Sequence, residues 1–297
     1  MKRFSIITVC LNTEDQIGET IASVLSQTCA DFEYIIKDGV SQDGTVSIAQ
    51  SFAPAFAERG IPYRVISRPD KGIYDAMNQA VKEVRGEWVI YINAGDQFAD
   101  PYVLEMVEQS GKLENAAIVY GDTVDCADQG YFYRKAYPLA CMRERSPFCH
   151  QSVFVRKHLY DQMPYSLRYR LCSDYLLFYN LYQQGKIFAY IPIAISIYDR
   201  HGVSSNGKAV AQELLKIHEE MPVRDEDTIQ MLKKEVESYD YKDSRLKAVL
   251  RKLVPKRLRS KKWERIRKAA GWKTKEEFMA EREKNGGRVN KAFLSEK

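Results

Sequence analysis

Arg68 to Asp96 reads RPDKGIYDAMNQAVKEVRGEWVIYINAGD. An acidic turn leads into a helical pattern over Gly72–Val84, with Ile73, Met77, Ala80, Val81 and Val84 on one face. After Arg85-Gly86 an apolar strand runs over Glu87–Ile92 and ends in Asn93-Ala94-Gly95-Asp96. A carboxylate just past the carboxyl end of a buried strand is where an open α/β sheet holds its ligand. A hard oxygen there suits a divalent cation carrying a diphosphate.

The same rhythm extends to both sides. Phe4–Val9, Glu33–Lys37 and Tyr63–Ser67 read as strands, and Asp15–Ser26 and Gly44–Phe52 as helices, the latter with Asp43 as N-cap. This alternation predicts an α/β fold with a mostly parallel central sheet and helices on both faces. After Asp96 the pattern loosens. Pro101–Gln109 reads as a helix, and Ile118–Tyr120, Tyr131–Lys135 and Ser152–Arg156 as strands. Asp174–Gln183 is a helix whose start is marked by Ser173. Ile187–Ile191 and Ala194–Tyr198 are strands separated by Pro192, and everything from Lys208 onward reads helical.

The chain's 297 residues suffice for one large domain or two unequal ones, and 45% hydrophobic residues support a sizeable core. No apolar run approaches the ~18 residues of a membrane span. MKRFSIITVCLN is expected to be a first strand, not a signal peptide. Six cysteines without a CxxC pair suggest reduced thiols in the cytoplasm, and four histidines lack zinc-ligand spacing. Charge is uneven: residues 206–297 hold 25 Lys/Arg against 16 Asp/Glu, and residues 1–205 hold 20 against 24. A mildly acidic domain therefore precedes a basic extension.

The turn after the first strand, CLNTEDQIGE, contains neither GxGxxG nor GxxxxGKS/T, which disfavours dinucleotide and P-loop folds. There is no GxSxG elbow. Phosphate charge must then be met by a metal, not by a nest of backbone amides.

FSIITVCLN, EYIIKDGVSQDGT (33–45), DKGIYDAMN and NAGD, followed by CHQSVF (149–154) and SDYLLF (173–178), resemble the blocks of family 2 glycosyltransferases with the GT-A fold. The resemblance spans about residues 4–205 and is nearest to bacterial enzymes of capsule, O-antigen and exopolysaccharide assembly. It implies a GT-A catalytic domain over 1–205, with a nucleotide-sugar half to about residue 100 and an acceptor half beyond. The implied donor is a nucleotide-diphosphate sugar, UDP-linked by preference, with GDP- or dTDP-sugars as alternatives. The implied cofactor is Mn²⁺ or Mg²⁺. The implied acceptor is a glycan or lipid-linked glycan.

Carried over residue by residue, the resemblance assigns Thr8, Asn12, Asp38, Asp70, Asp75, Asn78 and Asn93 to the nucleotide side. An Asp at position 38 suits an imide N–H or a ribose hydroxyl, although many relatives carry two acids where this chain has Lys37-Asp38. Asp75 and Asn78, spaced i, i+3, share a helix face. Asp96 is the expected metal ligand, with His201 of DRHGVSSN as a further candidate. Asp174 is the expected catalytic base, taking the proton of an acceptor hydroxyl opposite the leaving group. As a first-turn residue it also suits the helix dipole. His150 and Gln151 fall on the acceptor side, where a satisfied core histidine is the competing reading.

Ser244–Lys275 contains 14 Lys/Arg and one acid. Leu246, Val249, Leu250, Leu253 and Val254 form an apolar stripe with a cationic opposite face, followed by Leu258, Trp263, Ile266 and Trp272. The pattern predicts contact between 244–275 and an anionic inner membrane surface, hence a cytoplasmic, peripheral protein. Packing on the catalytic domain is the alternative. No nucleic-acid motif is present, and a homodimer is left open. The combined expectation is an inverting transferase. Its rivals are a non-catalytic sugar-nucleotide-binding subunit of the same fold and a nucleotidyltransferase.

Overall fold

The computed structural model describes residues 3–128, 130–202, 206–242 and 269–290. Four strands, β1 (Phe4–Cys10), β2 (Phe32–Asp38), β3 (Tyr63–Ser67) and β4 (Trp88–Tyr91), pair in parallel in the spatial order β3-β2-β1-β4. They are linked by α1 (Ile17–Leu25), by α2 (Thr45–Ser51) with α3 (Ala53–Glu58), and by α4 (Ile73–Val81). This is the half in which apolar runs alternate with helical patterns.

Next come β5 (Gln97–Phe98), α5 (Val103–Gln109), β6 (Ile118–Ala127), β7 (Gly130–Arg134), β8 (Val153–Arg156), α6 (Lys157–Gln162), α7 (Ser173–Gln183) and β9 (Phe188–Asp199). They continue the sheet as β4-β8-β6-β9-β5, with β7 beside β6. Here directions mix: β8 is antiparallel to β4 and β6, whereas β6 and β9 are parallel.

Strand alternation builds two cores. Ile7, Val9 and Ile35 face α4 and α7, while Ile6, Tyr34 and Ile36 face α1, α3 and α5. Both sides are covered, which is why the parallel strands read as continuous apolar runs.

One expectation changes. Pro192 does not divide two strands, because β9 runs through it. The β6–β9 register shifts between Tyr120 and Asp122, and a Cβ on Gly121 would stand 2.6 Å from the carbonyl oxygen of Ile193. The irregularity absorbs a residue that has no N–H to give the ladder. Residues beyond 205 also pack against the sheet's helices. Leu214 and Ile217 of α8 (Gly207–Glu220), its C-cap Met221, and Leu232 of α9 (Glu226–Lys242) join the core against α7.

Most of the 244–275 stretch lies outside the described residues. Its last residues pack on the sheet: Trp272 stacks on Phe132, and Lys273 bridges Tyr131. α10 (Lys275–Lys284) follows, capped by Thr274 and Glu277, and its Phe278 stacks on Tyr131 at 4.2 Å. Among the described residues, no helix is long and apolar enough to cross a membrane.

Candidate functional site

The carboxyl ends of β1 to β4 carry most of the expected residues, and the structure divides them into organisers and groups left available. Thr8 is an organiser. It is fully buried, bonded to the Tyr34 hydroxyl at 2.8 Å and to the Ile92 carbonyl. Asn12 holds the next loop: its Oδ1 accepts the Gln42 N–H at 2.9 Å, and its own N–H donates to Ser41 Oγ.

Asp38 ends β2 with no exposed surface. Its Oδ2 accepts the N–H groups of Val40 and Ser41 and the Ser67 hydroxyl, and its Oδ1 accepts the Ser41 hydroxyl. Burial opposes the charge, yet these donors outweigh it and hold the carboxyl below its usual value. Asp38 therefore shapes the 38–41 loop and offers little free acceptor capacity.

Lys37 is buried too. Its ammonium has three donors and three partners: the carbonyls of Asp38 and Arg68, and Asp70 Oδ2 at 2.7 Å. Asp70 also accepts the Gly72 N–H, so it stands fixed at the mouth of the loop. A Cβ on Gly39 would come within 3.0 Å of it. Asp75 accepts the Lys71 N–H and the Gln79 amide, closing the first turn of α4. Asn78 turns away from this edge and exchanges two bonds with the backbone of Tyr165, at 2.8 and 2.9 Å.

Asp96 is nearly buried beyond β4, in a turn where Gly95 has φ +98°. Its Oδ1 accepts the Asp199 N–H at 2.9 Å, and Gln151 also hydrogen-bonds its carboxylate. Burial is the main influence, opposed by that N–H and the Gln151 amide and reinforced by the charge of Asp199. The carboxyl is pushed up to about 8. Asn93 buries an Oδ1 that has no partner among the described residues.

The Asn93 amide oxygen and the Asp96 carboxylate are hard oxygen donors of the kind a divalent cation takes, with phosphate and water supplying its other ligands. No cluster of three or more His, Cys, Asp or Glu side chains suited to a metal occurs among the described residues. His201 does not present a free nitrogen. Its two ring nitrogens lie 2.8 Å from Asp128 and 2.6 Å from Asp199, and these bonds raise its pKa. In this arrangement it favours the imidazolium form, which is not a ligand.

Asp174 stands in the first turn of α7, half-buried. The Tyr74 hydroxyl reaches its Oδ1 at 2.8 Å and the Leu171 carbonyl at 2.9 Å. His150 sits nearby, bonded to the Tyr165 hydroxyl at 2.7 Å. Burial lowers its pKa, and the charge of Asp174 pulls the other way. His150 and Gln151 share one 3-10 turn, His150–Ser152. Through it, the surroundings of Asp174 and those of Asp96 meet. Cys149 donates to Gln151 Oε1 at 3.0 Å, which leaves the Gln151 amide nitrogen for Asp96.

Four participants were absent from the expected set: Lys37, Tyr74, Asp199 and Glu213. Asp199 had a signal, an acid closing an apolar strand as Asp96 does. Glu213, whose carboxylate accepts the N–H groups of Arg170, Leu171 and Cys172, had none.

The fold is of the GT-A class, that of solved glycosyltransferases. A solved structure of TarS from S. aureus in complex with UDP superposes with TM-score 0.56 at 16% identity, covering 82% of this chain and 73% of that one. The mannosyltransferase PcManGT from Pyrobaculum calidifontis in complex with GDP-Man and Mn²⁺ gives 0.58 at 14%, covering 79% and 69%. The Glycosyl transferase family 2 model matches residues 5–177, and the chain belongs to that family. A PGL/p-HBAD biosynthesis glycosyltransferase of Mycobacterium bovis is 33% identical over 216 residues, 72% of this chain and 82% of its own length.

Proposed function

We propose that this glycosyltransferase moves a sugar, with inversion, from a nucleotide-diphosphate sugar to a hydroxyl of a lipid-linked glycan in cell-surface polysaccharide assembly. The observation that carries the reading is the His150–Ser152 turn, which joins the surroundings of two carboxylates of different character. Asp96 is desolvated in the strand-end turn it shares with Asn93, whose Oδ1 has no partner among the described residues. Asp174 keeps Oδ2 free of any hydrogen bond among the described residues. One suits a charged leaving group and the other a proton.

Asp96 and Asn93 would hold Mn²⁺ or Mg²⁺. The cation would neutralise the departing nucleoside diphosphate. Asp70, locked by Lys37, and the 38–41 loop border the nucleoside. Asp174 accepts the acceptor's hydroxyl proton on the opposite face, so an α-linked donor gives a β-linked product. A UDP-sugar is the preferred donor; one solved structure of the fold is in complex with UDP, and another with GDP-Man and Mn²⁺. The protein works at the cytoplasmic face of the membrane, with the basic stretch 244–275 as its contact.

Thermal shift against UDP-, GDP- and dTDP-sugars with Mn²⁺ or Mg²⁺ tests the donor, since a bound ligand stabilises by the logarithm of its excess over Kd. Asp174→Asn should abolish transfer and keep donor binding. Unchanged transfer in that variant would remove the mechanism, and release of pyrophosphate instead of a nucleoside diphosphate would make the protein a nucleotidyltransferase.

A further inference from the structure

Tyr74 stands between two acceptors with one proton to give. Its side chain is almost fully buried at the start of α4, and its hydroxyl lies 2.8 Å from Asp174 Oδ1 and 2.9 Å from the Leu171 carbonyl. A phenol donates once, so the two contacts cannot both be donated bonds at one moment. A carbonyl only accepts. Which acceptor holds the proton therefore depends on the charge of Asp174. A carboxylate is the stronger acceptor and draws the proton. A neutral carboxyl competes poorly, and the proton turns to Leu171.

We propose that Tyr74 is the positioning residue of the transfer reaction: it holds Asp174 Oδ1 while Asp174 is charged, leaves Oδ2 as the basic oxygen, and turns its proton to the Leu171 carbonyl when Asp174 has taken the acceptor's proton. The inference rests on Asp174 being the base. Protons balance: one moves from the acceptor hydroxyl to Asp174, and the Tyr74 proton reorients without leaving its oxygen. Because the bond is made to the charged form and yielded by the neutral one, it acts on the difference between the two protonation states.

The surroundings suit this role. Among the described residues, the titratable groups facing Asp174 are Tyr74 on α4, His150 on the 3-10 turn, Tyr160 on α6, Tyr165 in the following loop and Cys172 before α7. Tyr160 and Tyr165 hydrogen-bond each other, and Tyr165 bonds His150. Tyr74 is the side chain in this set that hydrogen-bonds Asp174 itself. Leu171 is held from its other side, its N–H donating to Glu213 at 2.6 Å, so the alternative acceptor has a fixed position.

The test is the rate–pH profile of sugar transfer. In Tyr74→Phe the acid limb of kcat should move to higher pH by about one to two units, the worth of a charge-assisted hydrogen bond, with KM for the donor little changed. An acid limb that stays in place while Tm falls would overturn the proposal and leave Tyr74 a structural contact. Where the Phe variant folds poorly, 3-fluorotyrosine at position 74, a stronger donor of nearly the same shape, should move the limb to lower pH; an unmoved limb again overturns it. Asp174→Asn separates the two claims. Retained transfer there removes the base and the inference with it, whereas lost transfer beside an unmoved Tyr74→Phe limb removes the inference alone.

Discussion

The Glu213 carboxylate on α8 accepts the Leu171 N–H at 2.6 Å, three residues before Asp174. It also accepts the N–H groups of Arg170 and Cys172. An acid beyond residue 205 thus caps the loop that carries the proposed base, a task that α7's own first residue leaves undone. Ser173 Oγ has no partner among the described residues, and no side chain caps the helix locally.

Glu213→Ala strands three backbone donors near the site. A loss of about 2–3 kcal/mol is expected, because bonds to a charged acceptor are the stronger kind and unmade donors are costly. Urea unfolding should show the loss, and transfer should fall more than donor affinity. Glu213→Gln keeps one acceptor oxygen and should retain part of both. Wild-type stability in the Ala variant would mean that water replaces the cap without cost.

Asp96 gives a pH dependence of definite sign. Its folded-state pKa, about 8, lies far above the ordinary carboxylate range. A raised carboxyl contributes its stability below the unfolded value of about 3.9 and loses it as pH rises toward the folded value. Stability from this residue should therefore decline between about pH 4 and 8. Asp96→Asn should remove the decline, giving a variant whose advantage over the wild type grows across that window and then levels off. A divalent cation needs the ionised form. Stabilisation by Mn²⁺ with UDP should thus be larger at pH 8.5 than at pH 6, and absent in Asp96→Asn. Equal shifts at both pH values would place the cation elsewhere.

The parallel half was legible because burial on both faces imposes continuous apolar strands between amphipathic helices; β1 to β4 and α4 fall where the spacing puts them. What escaped was set by partners distant in sequence. Asn78 shares a helix face with Asp75, yet its amide goes to the Tyr165 backbone, 87 positions away. Tyr74 adjoins the apolar stripe of α4 and reads as packing until α7 brings Asp174 to its hydroxyl. Pro192 is a breaker by composition, and only the irregularity opposite Gly121 lets β9 continue through it. Local pattern places acids at strand ends but does not say which of their oxygens other residues have already taken.

Lys37 illustrates this most sharply. Position 37 is fully buried, and its ammonium is matched by two carbonyls and Asp70. Lys37→Met keeps the volume and strips Asp70 of its counter-charge in a nearly closed setting. Breaking a buried pair from one side costs about 3–5 kcal/mol. A double variant, Lys37→Met with Asp70→Asn, should recover part of that, since no unpaired charge remains. Denaturation midpoints of the four proteins form the cycle, and additive effects would show that the pair is not coupled.

The segment over 269–290 yields the last test. A Cβ on Gly130 would stand 1.9 Å from the Lys273 carbonyl, and Gly130 has φ +114°. Gly130→Ala is therefore doubly unfavourable: the backbone angle is strained and the Tyr131–Lys273 bridge must open. Phe278, nearly fully buried and stacked on Tyr131, leaves a cavity as Phe278→Ala, at a cost of about 3–5 kcal/mol where the segment unfolds with the domain. Hydrogen exchange decides how the cost is distributed. If residues 269–290 dock as an independent unit, both variants should deprotect that segment and β7 alone, leaving β1 to β4 at wild-type rates. Uniform deprotection would instead make the segment part of one cooperative core. Transfer assays on the same variants then show whether docking matters to the reaction, because β6, which β7 flanks, is the strand parallel to β9 and so adjoins the element that ends at Asp199 beside Asp96.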